Sequence, residues 1–340
     1  MKDVNRIIWI DYARALACIF VVLLHVSAYY ITSYNEVSPF NWNVANLIDS
    51  LTRSCVPIFF MISGYFFFSN KKPSVKNILR VVLSLLFYSA IAFVLYMLTK
   101  KASLAEAIDN ISFFSEPSFY HLWFFYPLIS IYLISYLCTI KPVDNLRFLF
   151  VILILVTLLN PRFNDITEFL FGISIKNNFM ITGDFFYFLL YAITGGIFKN
   201  INENNLISEK HSTALAFVAI ASWISIYLLT NNLYYKGMQD IYSFYDYASP
   251  FVFSMSLSTF LFFISIKRKL KPCLAIDFIS KNSLAIFGIH AFILAFFKKF
   301  IDYRFTNSII AIPLIFVTVF FLSLLFSFFL RKIDKKHYIS

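Results

Sequence analysis

Ten stretches of this 340-residue chain carry no Asp, Glu, Lys or Arg: 15–35, 54–70, 81–99, 122–140, 148–161, 185–198, 212–235, 247–266, 282–297 and 305–330. A helix needs about 20 apolar residues to cross a bilayer, with roughly 17 as a lower limit. Seven of the windows meet that limit. The three shorter ones, 148–161, 185–198 and 282–297, reach it by extension through flanking polar residues that snorkel to the interface. The expected architecture is therefore an all-α integral membrane protein of about ten transmembrane helices, forming one domain over residues 1–340. The fifth and sixth spans are the shortest, and a re-entrant pair there would leave both termini on the same side. With 60% of residues hydrophobic and 14% charged, the chain lacks the charge to cover a soluble domain.

Orientation follows from the basic residues. With the N-terminus in the cytoplasm, the inner segments hold nineteen Lys and Arg and the outer segments eight. That asymmetry predicts N-in and C-in. It also accounts for the net charge of +11 without a nucleic-acid partner. The first apolar run has no clear small-residue cleavage site and is expected to stay as a helix. Cys18, Cys55, Cys138 and Cys273 lie in or beside apolar segments with no CxxC spacing. They are expected to be buried thiols, neither a disulfide framework nor a metal site. Seven glycines and no GxGxxG or Walker pattern argue against a nucleotide-driven pump.

Ionisable groups inside membrane spans are costly, so each is a candidate for function. The first span holds Asp11, Arg14 and His25. Eleven residues at about 100° each return Arg14 and His25 to nearly one face, with a rise of roughly 16 Å. Asp11 lies about one turn before Arg14 and is expected to hold it. Taken alone, the pair also reads as an interfacial ion pair and His25 as a structural histidine. The second span carries Asp49 and Arg53 in the favourable acid-first i, i+4 order. Beyond them lies Cys-Val-Pro-Ile-Phe-Phe-Met-Ile-Ser-Gly-Tyr, residues 55–65, where Pro57 and Gly64 loosen backbone bonding or permit close packing. His121 and Trp123 open the fourth span and read alone as an aromatic belt at the outer interface. His290 sits in the ninth span, while His211 and His337 are expected to be solvated.

Four blocks carry a resemblance. Trp-Ile-Asp-Tyr-Ala-Arg-Ala-Leu-Ala-Cys-Ile-Phe-Val-Val-Leu-Leu-His at 9–25 resembles the opening motif of the acyltransferase-3 membrane family, and Val-Pro-Ile-Phe-Phe-Met-Ile-Ser-Gly-Tyr at 56–65 its second block. His-Leu-Trp-Phe at 121–124 and Asn282 to His290 resemble later blocks, in family order. The chain looks most like the short O-acetyltransferases of bacterial surface polysaccharides, such as the enterobacterial common antigen type. The resemblance implies ten core helices, acetyl-CoA as acyl-donor substrate with no bound cofactor, and a carbohydrate hydroxyl as acceptor. By position, His25 matches the essential histidine, Arg14 the arginine of that motif and Asp11 its preceding acid. Arg53 matches a basic residue before the Ser-Gly-Tyr block, and His290 the late histidine. The family's arginine-rich stretch is here mostly lysine: Lys71, Lys72, Lys76 and Arg80.

The resemblance implies acetyl transfer to a glycan or an undecaprenyl-linked saccharide, in a bacterial inner membrane and among its lipids. Arg14, Lys71, Lys72, Lys76 and Arg80 supply cations for the donor phosphates. The roughly 16 Å from Arg14 to His25 is comparable to the reach of a pantetheine arm. His25 serves either as general base or as covalent acetyl carrier. Arg53, His121 and Trp123 are the expected acceptor contacts, and Ser63 is a further candidate. The rival readings are a polysaccharide polymerase or flippase and a proton-coupled transporter.

Overall fold

A computed structural model of the chain describes residues 6–100, 116–141, 151, 153–155, 158, 159, 161–173, 183–238 and 240–339. All regular structure among them is helical. Eight helical stretches are long and apolar enough to cross a membrane: Ile8–Thr32, Pro39–Phe67, Val75–Thr99, Tyr120–Leu137, Glu209–Tyr235, Ser243–Ser265, Leu274–Phe300 and Ser308–Ile333. The sixth expected span is a ninth helix, Asp184–Glu203, less apolar but 20 residues long, or about 30 Å. Half of the fifth, 148–161, lies outside the described residues. Its described flanks end at opposite faces of the bundle. The Ile140 amide donates to the Phe68 carbonyl (3.1 Å), whereas Phe169 packs against Phe244.

The bundle is built around α1 (Ile8–Thr32), whose apolar window is 56% buried within the protein. Small residues, Ala13, Ala15, Ala17 and Cys18, let neighbouring helices approach it. It packs against α2 (Pro39–Thr52), α3 (Cys55–Phe67), α9 (Pro250–Ser265), α10 (Leu274–Phe300) and α11 (Ser308–Ile333). At the periphery, α8 (Ser212–Tyr235) buries only 17% of its window and turns Phe217, Ile220 and Leu228 outward, as a lipid-facing helix must. The start of α2 is fixed by Ser38, which accepts from the Asn41 amide, with Pro39 at the first helical position. α2 breaks from α3 at Arg53 and Ser54, so one membrane crossing is made of two helices. The remaining helices are α4 (Val75–Lys100), α5 (Phe125–Leu137) after a short 3-10 turn at Tyr120–Phe124, α6 (Pro161–Phe171) and α7 (Asp184–Glu203).

α7 runs beside α3 in the same direction, with Phe188 stacked on Phe60 and the Lys199 amine on the Ser69 hydroxyl (2.9 Å). The two backbones approach so closely that a Cβ on Gly64 would overlap the Ala192 carbonyl, and one on Gly195 the Met61 carbonyl. Gly64→Ala should therefore cost about 1–3 kcal/mol by overpacking, read as a lowered Tm of the detergent-solubilised protein.

The first and last helices meet at one face, where Arg14 of α1 and Arg331 of α11 line the same cavity. One expectation on burial is corrected. Cys18 and Cys55 are buried but Cys138 and Cys273 are exposed, because they sit at helix ends, after α5 and before α10. His337 is partly exposed and lines that cavity.

Candidate active site

A cavity of about 470 Å³ opens at the basic face of the bundle. Arg14, Lys71, Arg80, Lys281 and Arg331 line it, together with His337. No carboxylate lines it among the described residues, so the wall suits an anion. Burial and the neighbouring Arg331 guanidinium push the His337 imidazole below its ordinary value. It is neutral at pH 7 and adds a further positive charge as the pH falls.

Arg14 is oriented from below. Its guanidinium donates to the Ser280 hydroxyl (3.1 Å), which donates to Asp11 (2.7 Å). Asp11 also lies 3.7 Å from Arg14 and pairs with Arg6 at 2.6 Å. Asp11 thus holds Arg14 as expected of its position, largely through Ser280, and does not itself line the cavity. Of the expected donor cations, Arg14, Lys71 and Arg80 line the cavity, and Lys72 and Lys76 do not. The Lys72 amine donates to the Ser135 and Cys138 carbonyls (2.7 Å each) and bonds Thr139. Those carbonyls end α5 and have no helical partner, so a cation is held there. Lys76 lies over the Tyr338 ring at 5.7 Å. Ser63 lines the cavity beside Tyr132.

Going inward from the basic face, α10 contributes Ser280, Ser283, Leu284 and then Phe287. α3 contributes Phe66, Ile62 and then Phe59. The deep end is lined by Phe59, Phe124 and Phe287. Behind it lie three histidines. His25 stacks on His290 with ring centres 5.2 Å apart, and His121 meets His290 edge-on at 5.4 Å. Tyr120 stands 5.2 Å from His25. His290 is buried and its Nδ1 donates to the Phe287 carbonyl (2.7 Å). His121, 1% exposed, donates from Nε2 to the Gly288 carbonyl (2.9 Å). A carbonyl only accepts, so both tautomers are fixed. Nε2 of His290 and Nδ1 of His121 are left as lone pairs without a partner among the described residues. The position of His121 departs from an interface belt: it faces inward because α10 supplies the carbonyl that it needs.

On the opposite face, a second cavity of about 310 Å³ is lined by Arg53, Asp184, Asp240, Asp246, Tyr242, Tyr245 and Tyr247. Arg53 is gripped by Asp49 (Nε to Oδ1 2.6 Å) and lies over the Tyr245 ring at 4.1 Å. Asp49 in turn accepts from Ser27 of α1, two residues beyond His25 (3.3 Å). Of the three expected acceptor contacts, only Arg53 lines this cavity. Trp123 is half-buried behind it, 6.0 Å from Tyr247 and 5.2 Å from Phe188. Ser280, Lys281, Arg331, Tyr132 and the Asp184/Asp240/Asp246 group were not singled out by the sequence. In the sequence Lys281 and Arg331 read only as positive-inside charges.

The described residues hold no cluster of three or more His, Cys, Asp or Glu side chains suited to a metal ion. No curated protein and no solved structure matches the chain. Residues 7–332, nearly the whole chain, match the family model described as an acyltransferase domain, and the chain belongs to the acyltransferase-3 family of membrane acyltransferases.

Proposed function

We propose that this protein moves an acetyl group from acetyl-CoA to a sugar hydroxyl of a cell-surface polysaccharide or its lipid-linked precursor, in a bacterial inner membrane. The observation that carries this reading is the cation-walled cavity that runs inward from the basic face to the phenylalanine layer, beyond which His25 and His290 stack. By the positive-inside asymmetry the basic face is cytoplasmic, the side from which acyl-CoA is supplied. Arg14, Lys71, Arg80, Lys281 and Arg331 bind the donor's phosphates as charge-assisted hydrogen-bond donors. The pantetheine arm runs inward along α1 toward His25. The acceptor enters from the other face, past Arg53.

In the transfer, the sugar oxygen bonds to the acyl carbon and the carbon–sulfur bond breaks. His25 takes the hydroxyl proton and returns it to the departing thiolate, leaving free CoA. The family supports acyl transfer; the acetyl group and the sugar acceptor belong to this proposal.

Binding of labelled acetyl-CoA to purified protein tests the donor side. Charge-assisted hydrogen bonds contribute about 1.5–3 kcal/mol, so Arg14→Ala should weaken binding roughly ten- to a hundredfold. Lys72→Ala, whose amine ends α5, should leave affinity unchanged. Equal affinity in wild type and Arg14→Ala would remove the cavity from the donor role. For the acceptor side, O-acetyl ester should disappear from the surface glycan of cells lacking the protein, with chain length and export unchanged. An unaltered ester content would refute the reading, and a loss of export would favour a flippase.

A further inference from the structure

We propose that the aromatic floor of the basic cavity, and the Phe287 ring above all, sets the length of acyl group that the protein accepts. The proposal rests on the donor reading above. Phe59, Phe124 and Phe287 all line the cavity. Their ring centres are 4.9 Å apart for Phe124 and Phe287, 6.0 Å for Phe59 and Phe124, and 6.5 Å for Phe59 and Phe287. They form one continuous layer. Phe287 touches both sides of it: its ring is in the cavity wall and lies 5.8 Å from the rings of both His121 and His290.

The layer is held in place. Phe287 accepts the His290 Nδ1 proton on its own carbonyl, and Gly288 accepts from His121. The Tyr88 ring occupies the place where a Cβ on Gly288 would stand. Tyr88 bonds the Ala285 carbonyl, one turn earlier on α10 (3.5 Å). Phe125 meets the Phe287 ring edge-on, 5.7 Å off. A floor fixed through its main chain, between two histidines and a tyrosine, yields little to a longer chain.

A donor anchored by its phosphates at Arg14 and Arg331 therefore brings its thioester up against a fixed ring. A two-carbon acyl group ends there, and each further methylene must displace phenyl carbons. Replacing Phe287 with a smaller side chain turns that clash into apolar space. Each buried methylene then favours the longer donor roughly fourfold.

The test needs no acceptor. Labelled acetyl-CoA bound to purified wild-type, Phe287→Leu and Phe287→Ala protein is displaced with unlabelled acetyl-, propionyl-, butyryl- and hexanoyl-CoA. The wild type should rank acetyl ahead of butyryl and hexanoyl. In the variants the butyryl-to-acetyl affinity ratio should rise more than tenfold, with Phe287→Leu intermediate. Phe124→Leu should act in the same direction if Phe287→Ala fails to insert. An unchanged ratio in folded variants of a wild type that binds acetyl-CoA overturns the floor and leaves the donor reading intact. A wild type that binds no CoA thioester overturns both.

Discussion

His25→Ala should lower acyl transfer at least a hundredfold while leaving acetyl-CoA binding within about twofold of wild type. Proton transfer by a positioned group contributes roughly 10²- to 10⁴-fold. The split between the two readouts follows from the geometry. His25 stacks on His290, behind the phenylalanine layer, and does not line the cation-walled cavity. Removing its ring takes away the base and leaves the phosphate contacts. Transfer of label from acetyl-CoA to glycan in membranes gives the first quantity, and binding to purified protein the second. His290→Ala serves as comparison. His290 is fixed by the Phe287 carbonyl and touches His25 face to face, so under the proposed function it is a positioning residue. Its loss should shift the pH profile of transfer and lower the rate less than loss of His25. Transfer at the wild-type rate in inserted His25→Ala protein would remove the histidine from the chemistry.

The spans were legible because hydrocarbon leaves the chain few options: a gap between charges of sufficient length has to be a helix. Even α7, the least apolar of them, showed as a charge gap. Its lower apolarity has a physical source, since Gly195 and Gly196 pack against α3 and Thr194 is buried, so that face meets little lipid. The Arg14–His25 axis was legible for a similar reason, because both residues ride one helix and its period is known. What joins different helices was not. Lys72 looks like any other lysine of the basic stretch until the end of α5 is brought beside it. His121 and Trp123 are two residues apart, yet one is drawn inward by a carbonyl of α10 and the other packs behind the second cavity. Ser280, which couples Arg14 to Asp11, carries no signal in the sequence, since serine in a membrane helix most often bonds its own backbone.

Asp49→Ala should destabilise the protein by about 3–5 kcal/mol, the usual cost of leaving one member of a buried ion pair alone. That is a large share of a typical folding free energy of about 5–15 kcal/mol. Asp49 is 0% exposed and serves two helices, accepting from Arg53 (2.6 Å) and from Ser27 of α1 (3.3 Å). Arg53 is held further by the Tyr245 ring, and the Tyr245 hydroxyl donates to Asn46 (2.6 Å), one turn before Asp49. Without the carboxylate, the Arg53 guanidinium loses its close ion-pair partner and keeps the Tyr245 ring and the wall of the outer cavity. The measured quantity is the Tm of the solubilised protein. Arg53→Ala should cost a similar amount, because it strands Asp49. The double variant Asp49→Leu/Arg53→Met removes both charges and fills their volume, so its stability should return close to wild type. That double variant separates two roles which either single variant confounds. If Arg53 only braces the break between α2 and α3, the double variant transfers acetyl groups normally. If Arg53 contacts the acceptor, the double variant is stable, binds acetyl-CoA and fails in transfer. The second result is the one expected, because Arg53 is the only one of the sequence-derived acceptor residues that lines the outer cavity.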